Sequence, residues 1–425
     1  MAALAAEIDF GQSPLRQAHL RSPDSQVQRK PHEITMPSDA PPPSEDPPPT
    51  AGPIFFSLGF RPFFLGAGLL AAAALPLWML QFLGIVELPG VPDPLTWHIH
   101  EMLFGYLSAA LAGFLLTAVP NWTGRPPIAG ARLFALFALW LAGRFAMLAD
   151  AQGVFGGAVA AAFLPVLAAV AWREISAAGN RRNLPVCLLI AALAAAEIVF
   201  LFVARDLGMK LGFATAVMMI LLIGGRVIPS FTGNWLKQQG ATALPSPFSA
   251  YDKATLALTL VALACWIVLP EAAVTGVAFA AAAAVNLWRL LRWRGTAVLA
   301  EPLLSVLHLG YAWIPIAFAL LALSILTPGW AVQQQALHAL GAGAVGLMTL
   351  AIMTRASLGH SGHALHAGAA TLVAYLLVFL GAAARVAADW TADPTIMLHF
   401  GAGAWSAGFL VFTLRYAPIL LFRRS

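Results

Sequence analysis

Long apolar runs follow one another along the chain from residue 55 onward. An α-helix rises about 1.5 Å per residue, so about 20 apolar residues cross the hydrocarbon core of a bilayer. Twelve such runs are predicted, over residues 63–84, 96–119, 131–149, 153–172, 183–204, 207–228, 252–269, 272–293, 302–326, 332–354, 366–387 and 395–421. The connections are short except for residues 230–251, which divide the spans into two groups of six. The pattern predicts an all-α fold, a polytopic membrane bundle of about twelve helices.

The first 53 residues have a different pattern. They contain two runs of three prolines, at 41–43 and 47–49, among many Ser, Asp, Glu and Gln residues. Such a segment cannot bury enough apolar area to offset the entropy lost on ordering. We therefore predict a disordered, Pro-rich cytoplasmic tail over residues 1–53 and an integral membrane domain over residues 54–425. Two of the ten histidines, His19 and His32, fall in the tail and are interpreted as solvated residues without a ligand role.

Composition agrees with a chain that lies mostly in lipid. Hydrophobic residues make up 60% of the 425 residues and charged residues only 10%, whereas a soluble domain carries about 25% charged residues. Both cysteines, Cys187 and Cys265, lie inside apolar runs, which excludes a disulfide framework. No basic stretch alternates with exposed aromatic residues, so the sequence excludes a nucleic-acid partner and favours the lipid bilayer as its surroundings.

Loop charges predict the orientation. If the tail is cytoplasmic, the connections on the same side are rich in arginine and lysine, and those on the opposite side are rich in acidic residues. The basic residues on the tail side include Arg125, Arg132, Arg173, Arg181, Arg182, Lys237, Lys253, Arg292, Arg294 and Arg355. The acidic residues on the other side are Glu87, Asp93, Asp150, Glu271, Asp389 and Asp393. The connections on that side contain only Arg205 and Lys210 as basic residues, and Arg144 and Arg385 lie at helix ends there. By the positive-inside rule, both termini are predicted to be cytoplasmic, and an even number of spans agrees with this.

Histidines near the outer ends of three spans form the first candidate site. An ionisable side chain inside a bilayer is costly, so each one is a functional candidate. His98 lies in the second span, His338 in the tenth and His399 in the twelfth, all at similar depth on the outer side. At 100° per residue, His98 and Glu101 share a helix face while His100 points away. We expect the three histidines to face one cavity, with Glu101 orienting an imidazole or completing the site. Hydrogen bonds between helices, or a place at the interface, are the alternative.

A second group of histidines lies on the inner side. His308 is near the inner end of the ninth span, and His360 and His363 are in the connection after the tenth. These are candidate metal ligands, with His308 favoured because it lies within the membrane. Gly359 and Gly362 argue against a regular helix in that connection, where solvent-facing histidines are common.

Five sequence blocks, in order and spread over the membrane portion, resemble the NnrS family. The blocks are FSLGFRPFF (56–64), WHIHEMLFGY (97–106), AGFLLTAVPNWTG (112–124), GGRVIPSFTGN (224–234) and MTRASLGHSG (353–362). The resemblance does not reach the Pro-rich tail. It implies a bacterial inner-membrane protein of twelve helices that contains haem and copper. It further implies a role in denitrification and in tolerance of nitric oxide and other nitrosative stress, with nitric oxide or a related small molecule as ligand.

The resemblance fixes neither the ligands nor the reaction, and no catalytic residue is assigned. Arg226, near the inner boundary of the sixth span, can extend to the interface or pair with a haem propionate. The candidates for binding a cofactor are His98, His100, Glu101, His338, His399 and Arg226. The candidates for ligating a metal are His98, His308, His338, His360, His363 and His399.

Two other functional classes compete with a haem- and copper-containing protein. Twelve spans in two groups of six also suit a membrane carrier without a redox cofactor, although the spans contain few acidic residues to couple to protons. A haem–copper oxidase or nitric oxide reductase requires adjacent histidines, and the sequence contains no His-His pair. We therefore favour the first class, keep the carrier as the alternative and reject the reductase.

Overall fold

The twelve predicted spans are confirmed. The structure is a computed structural model that describes residues 54–422, so the predicted tail lies outside the described residues. The membrane helices are α1 (Phe60–Phe82), α2 (Pro94–Thr123), α3 (Ala131–Ala149), α4 (Val154–Ala177), α5 (Arg181–Phe202), α6 (Arg205–Gln238), α7 (Ala250–Val268), α8 (Ala273–Leu291), α9 (Pro302–Leu326), α10 (Gln333–His360), α11 (Ala369–Trp390) and α12 (Pro394–Leu421). Each is long and apolar enough to cross a bilayer, so the chain is a multi-pass membrane protein.

Three helices start with the same local sequence, an acidic residue followed by proline. The side chains of Asp93, Glu301 and Asp393 accept hydrogen bonds from backbone N–H groups in the first turns of α2, α9 and α12. Proline suits the next position, because its missing N–H would have no partner within the helix. These short signals set the starts of helices that the apolar runs alone place only to within several residues.

α6 continues further than the sequence predicts. The predicted connection over residues 230–251 is shortened to 239–249, because α6 runs past Pro229 to Gln238. Beyond the proline, Thr232 is fully buried, and Leu236 packs in a small apolar cluster with Val298 and Leu304. Burial of this inward face stabilises the helical turns beyond Pro229, the residue at which the sequence predicts the helix to end.

Three central helices form the core of the bundle. In their most apolar stretches, 89% of α2, 78% of α6 and 67% of α10 is buried, against at most 56% in the other nine. α2, α6 and α10 contact one another. The other helices lie around them, and α12 packs against α1.

The central helices are the second, sixth and tenth of the twelve. Because successive helices cross the membrane in opposite directions, all three run in the same direction. Contacts at their starts agree with this. Arg205 at the start of α6 donates to Thr96 near the start of α2 at 3.0 Å. The connection between α6 and α7 divides the chain into two groups of six helices. The most buried helices, in contrast, follow one another at intervals of four helices.

Each central helix contains a π-helical segment, in which the turn is wider than in an α-helix. The segments are Glu101–Tyr106 in α2, Ile220–Gly224 in α6 and Ala339–Val345 in α10. A π turn shifts the ladder of backbone hydrogen bonds and turns a carbonyl away from its usual partner. In a membrane such a carbonyl needs another donor, because no water is available to replace it.

Side chains of surrounding helices supply that donor in all three segments. The bonds run from Trp140 Nε1 to Gly105 O at 2.9 Å, from Arg289 Nη1 to Leu221 O at 3.0 Å, and from Trp405 Nε1 to Ala342 O at 3.2 Å. The donors lie on α3, α8 and α12. These bonds therefore join each π turn of the core to the layer around it.

Candidate cofactor site

Two imidazoles from different central helices lie near each other at the end of the bundle where α2 and α10 begin. His98 of α2 stacks on Trp78 of α1, with ring centroids 4.4 Å apart and planes 26° from parallel. His338 of α10 directly precedes the π-helical segment of its helix. It lies close enough to His98 for the two rings to interact electrostatically. The structure thus joins two of the three histidines that the sequence places at similar depth.

The hydrogen bond of His338 determines which ring nitrogen remains available. Its Nδ1 lies 2.8 Å from the carbonyl oxygen of Gln334. Because a carbonyl oxygen only accepts, Nδ1 carries the proton and Nε2 is left with a free lone pair. A histidine held in this way is suited to ligate a metal through Nε2.

A cation lies beside this pair. Arg385 of α11 is close enough to both His98 and His338 for its charge to act on them. It also forms a partly exposed ion pair with Asp389 at 3.4 Å. In the sequence Arg385 is only a charge at a helix end, because nothing in its own helix indicates the two histidines of α2 and α10.

His399 has the same internal hydrogen bond but a different position. Its Nδ1 donates to the carbonyl oxygen of Thr395 at 2.7 Å, which leaves Nε2 available. Its side chain is exposed, and no hydrogen bond or ring contact joins it to His98 or His338 among the described residues. His399 therefore lies at the outer surface of α12, next to the bundle rather than within the pair.

The cap of α2 fixes the height of His98. The hydroxyl of Thr96 donates to Asp93 at 2.6 Å, and Arg205 pairs with the same carboxylate at 3.4 Å. Partial burial would raise the pKa of Asp93, but these hydrogen bonds and the charge of Arg205 hold it below its usual value. The cap therefore stays ionised at neutral pH and keeps the first turns of α2 in place.

A buried cluster of four ionisable side chains lies just below the cap, where α2, α3 and α5 meet. His100, Glu101 and Glu197 are at most 1% exposed and Arg144 is 6% exposed. Nδ1 of His100 is 3.0 Å from Glu101 and its Nε2 is 3.2 Å from Glu197. Arg144 donates to Glu101 at 2.9 Å. The cluster joins three helices through charge.

In this cluster Glu101 contacts an imidazole, but that of His100 and not that of His98, with which it was expected to share a helix face. Its carboxylate contacts His100 and Arg144, not His98. The helix widens into a π turn from Glu101 onward, so spacings of 100° per residue no longer apply. In addition, Gly105 leaves room for the Arg144 guanidinium, since a Cβ there would overlap it. The carboxylate therefore turns towards α3, where its counter-ion lies.

The hydrogen bonds of the cluster require one proton more than a neutral imidazole and two ionised carboxylates carry. A neutral imidazole donates from only one nitrogen, yet both ring nitrogens of His100 face carboxylate oxygens. The second contact needs a proton on the other nitrogen or on Glu197. With that proton, the charges of the four groups sum to zero, which suits a site without water. Neither nitrogen of His100 is left to ligate a metal.

The inner histidines lie in separate surroundings. His308 is 7% exposed, and its Nε2 is 2.9 Å from the hydroxyl of Thr232. His360 is exposed, with its ring 5.9 Å from that of Phe60, and His363 is half-buried. Across residues 54–422, no group of three or more His, Cys, Asp or Glu side chains is arranged to hold a metal ion.

Arg226 lies beyond the π-helical segment of α6, towards the end of that helix. Its side chain is 9% exposed, and its guanidinium lies over the ring of Phe248, 5.4 Å from the centroid. Since α6 runs parallel to α2 and α10, Arg226 is deeper along the bundle than the pair His98 and His338. It is therefore separated from the outer site, where Arg385 is the nearby cation.

The site and the bundle that carries it fall within one known family. The family model described as NnrS protein matches residues 54–424, which include all twelve helices and every candidate histidine discussed above. A comparison with curated proteins found no match.

Proposed function

The chain belongs to the NnrS family, and on that premise we propose that it is a haem-containing membrane protein that binds nitric oxide. In this proposal it contributes to tolerance of nitrosative stress and is linked to denitrification. The observation that carries the proposal is the pairing of His98 and His338 on two parallel central helices, with a free Nε2 on His338.

The side chains of the outer site suit haem. Neutral imidazole nitrogen is the commonest protein ligand of haem iron. His338 offers such a nitrogen, and His98 makes a ring contact to Trp78 but no hydrogen bond among the described residues. Arg385 supplies a guanidinium for a carboxylate of the cofactor. When bound, haem supplies an iron that can take up a diatomic gas.

The protein side chains orient this site. The stack on Trp78 restricts rotation of the His98 ring, and the bond to Gln334 fixes the tautomer of His338. The cluster around His100 ties α2 to α3 and α5, so α2 cannot slide without separating buried charges. His98 and His338 are therefore held by different helices at a fixed height.

The proposal extends to copper by family membership. Copper accepts imidazole ligands, and single histidines such as His308 and His399 remain candidates. We assign the outer pair to haem because an imidazole pair and the guanidinium of Arg385 lie together there, and we name no ligand set for copper.

A carrier without a redox cofactor is the second candidate, and one observation favours it. The cluster of His100, Glu101, Glu197 and Arg144 holds a proton in the membrane, as expected of a site that couples transport to protons. The cluster is equally explained by charge balance at a contact between three helices. A measurement that detects the cofactor itself separates the two.

The visible spectrum of the purified, full-length protein tests the proposal. We expect a Soret band in the reduced protein that shifts when nitric oxide is added. The carrier predicts a protein without this band after expression in cells supplied with haem precursor. A preparation that binds no haem under these conditions would overturn the proposal.

We also propose that the protein lies in the bacterial inner membrane with both termini in the cytoplasm. The connections on the tail side are rich in arginine and lysine and those on the opposite side are rich in acidic residues, and this asymmetry supports the orientation by the positive-inside rule. A periplasm-dependent reporter should be active when fused in the connection at Gly90 and inactive at Gly179. The reverse pattern of activity would contradict this orientation.

A further inference from the structure

The imidazole of His100 lies between two carboxyl groups, one of which has a cation of its own. Glu101 accepts from Arg144 Nη1 at 2.9 Å and from His100 Nδ1 at 3.0 Å. Glu197 of α5 faces the other ring nitrogen, Nε2, at 3.2 Å. Within residues 54–422, no arginine or lysine side chain pairs with Glu197. Because Arg144 balances the charge of Glu101, His100 and Glu197 are expected to be neutral as a pair in this buried place.

Two arrangements make this pair neutral, and the distance between the groups distinguishes them. The proton lies either on Nε2, with an imidazolium facing an ionised carboxylate, or on Glu197, with two neutral groups. Hydrogen bonds between ionised nitrogen and oxygen groups are about 2.7–2.9 Å long. The contact of His100 with Glu197 is longer, at 3.2 Å, whereas that of Arg144 with Glu101 lies within this range. The distance therefore favours a carboxyl O–H of Glu197 that donates to Nε2.

The second oxygen of Glu197 supports the same arrangement. The residue is 1% exposed, and its Oε2 has no hydrogen-bond partner in the part of the chain that the structure describes. The rings of Phe104 and Phe200 pack against His100, with centroids 5.7 and 6.0 Å from that of the imidazole, and offer no donor. In a carboxylate, Oε2 would carry part of a buried negative charge without a donor, which is costly. In a carboxylic acid it is a carbonyl oxygen, for which a missing donor costs less.

We propose that Glu197 is a proton-binding site within the membrane and holds its proton as a neutral carboxylic acid. A Ca²⁺ or Mg²⁺ ion takes about six or more oxygen ligands, far more than the one free oxygen of Glu197. Loss of the proton would leave an uncompensated negative charge between α2 and α5. The bound proton therefore stabilises the contact of α5 with α2, the helix that carries His98. Haem has no part in this inference, which does not rest on the proposed function.

Infrared spectroscopy of the purified, full-length protein at neutral pH detects the acid itself. The C=O stretching band of a protonated carboxyl group is separate from the bands of carboxylates. We expect the difference spectrum between the wild type and Glu197→Gln to contain one such band. Glu174→Gln is the control, because Glu174 is also buried but pairs with Arg125 and Arg173, so its removal should not change this band.

Unfolding in a fixed detergent gives a second, independent measurement. Glutamine has the shape of the neutral acid, and its amide can donate to Nε2 of His100. Glu197→Gln should therefore leave the midpoint of unfolding nearly unchanged. Glu101→Gln makes the same change one contact away and should lower the midpoint, because Arg144 loses its counter-ion.

Each outcome decides for or against the site. A wild-type protein without the carboxylic acid band has its proton on His100, and this overturns the proposal. Equal losses of stability in Glu197→Gln and Glu101→Gln overturn it as well, and so does a Glu197→Gln protein that does not fold. Neither measurement detects haem, so a protein without a Soret band can still show the proton on Glu197.

Discussion

Replacing either His98 or His338 with alanine is expected to lower the haem content of the purified protein by at least about tenfold. Changes to residues that only support a metal ligand already cost about 10–100-fold in affinity, so loss of a ligand should cost no less. The two variants should still insert, because neither side chain contributes to the apolar face of its helix. Haem per protein is measured from the Soret absorbance against protein concentration, and insertion from the yield in membranes.

Two further histidines make this experiment specific. His366→Ala removes an exposed loop imidazole and should leave the haem content unchanged. His399→Ala determines whether the exposed histidine of α12 belongs to the site. Normal haem content in both His98→Ala and His338→Ala would show that the outer pair is not the haem site. His308 of the inner group would then be the next candidate.

The variant Arg144→Met is expected to lower the free energy of unfolding by about 3–5 kcal/mol, the typical cost of breaking a buried ion pair by removing one partner. Arg144 is the counter-ion of Glu101, and both are buried. Without it, the cluster carries an uncompensated negative charge where no water can solvate it. The midpoint of unfolding in a fixed detergent measures the loss.

An exposed pair of the same type serves as a control. Arg125 pairs with Glu174 at 2.7 Å, but the Arg125 side chain is 43% exposed, so Arg125→Met should cost at most about 1 kcal/mol. Adding Glu101→Gln to Arg144→Met removes the unpaired charge and should recover part of the loss. Equal effects of the two single substitutions would show that burial of the cluster has little energetic weight.

The number of helices follows from the sequence because each crossing needs about 20 apolar residues. The choice of central helices does not follow, because hydropathy does not distinguish them. The mean hydropathies of α2, α6 and α10 are 1.9, 2.1 and 1.8, within the range of 1.4 to 2.5 for all twelve. Burial inside a protein and burial in lipid select the same residue types. The pattern therefore predicts which segments cross the membrane, but not whether a helix lies at the centre or the edge of the bundle.

The sequence predicts the depth of a side chain in the candidate site, but not its partners on other helices. Depth along a helix can be counted in residues, and this placed His98 and His338 at the same height. The cluster around His100 could not be predicted by counting residues, because Glu197 and Arg144 come from other helices. The π turn at Glu101 also changed the angular spacing on which the shared face of His98 and Glu101 depended.

The side-chain donors to the three π turns have a consequence for biosynthesis. The donor to α2 is Trp140 on the next helix, whereas the donors to α6 and α10, Arg289 and Trp405, are each two helices later. While the ribosome is still making those helices, the carbonyl in the π turn of α6 or α10 lacks its side-chain donor, and lipid supplies no water in its place. A nascent chain halted after α10 therefore lacks the bond from Trp405 that ties α10 to the surrounding layer. We expect such chains to be retained by the insertion machinery or degraded by membrane proteases.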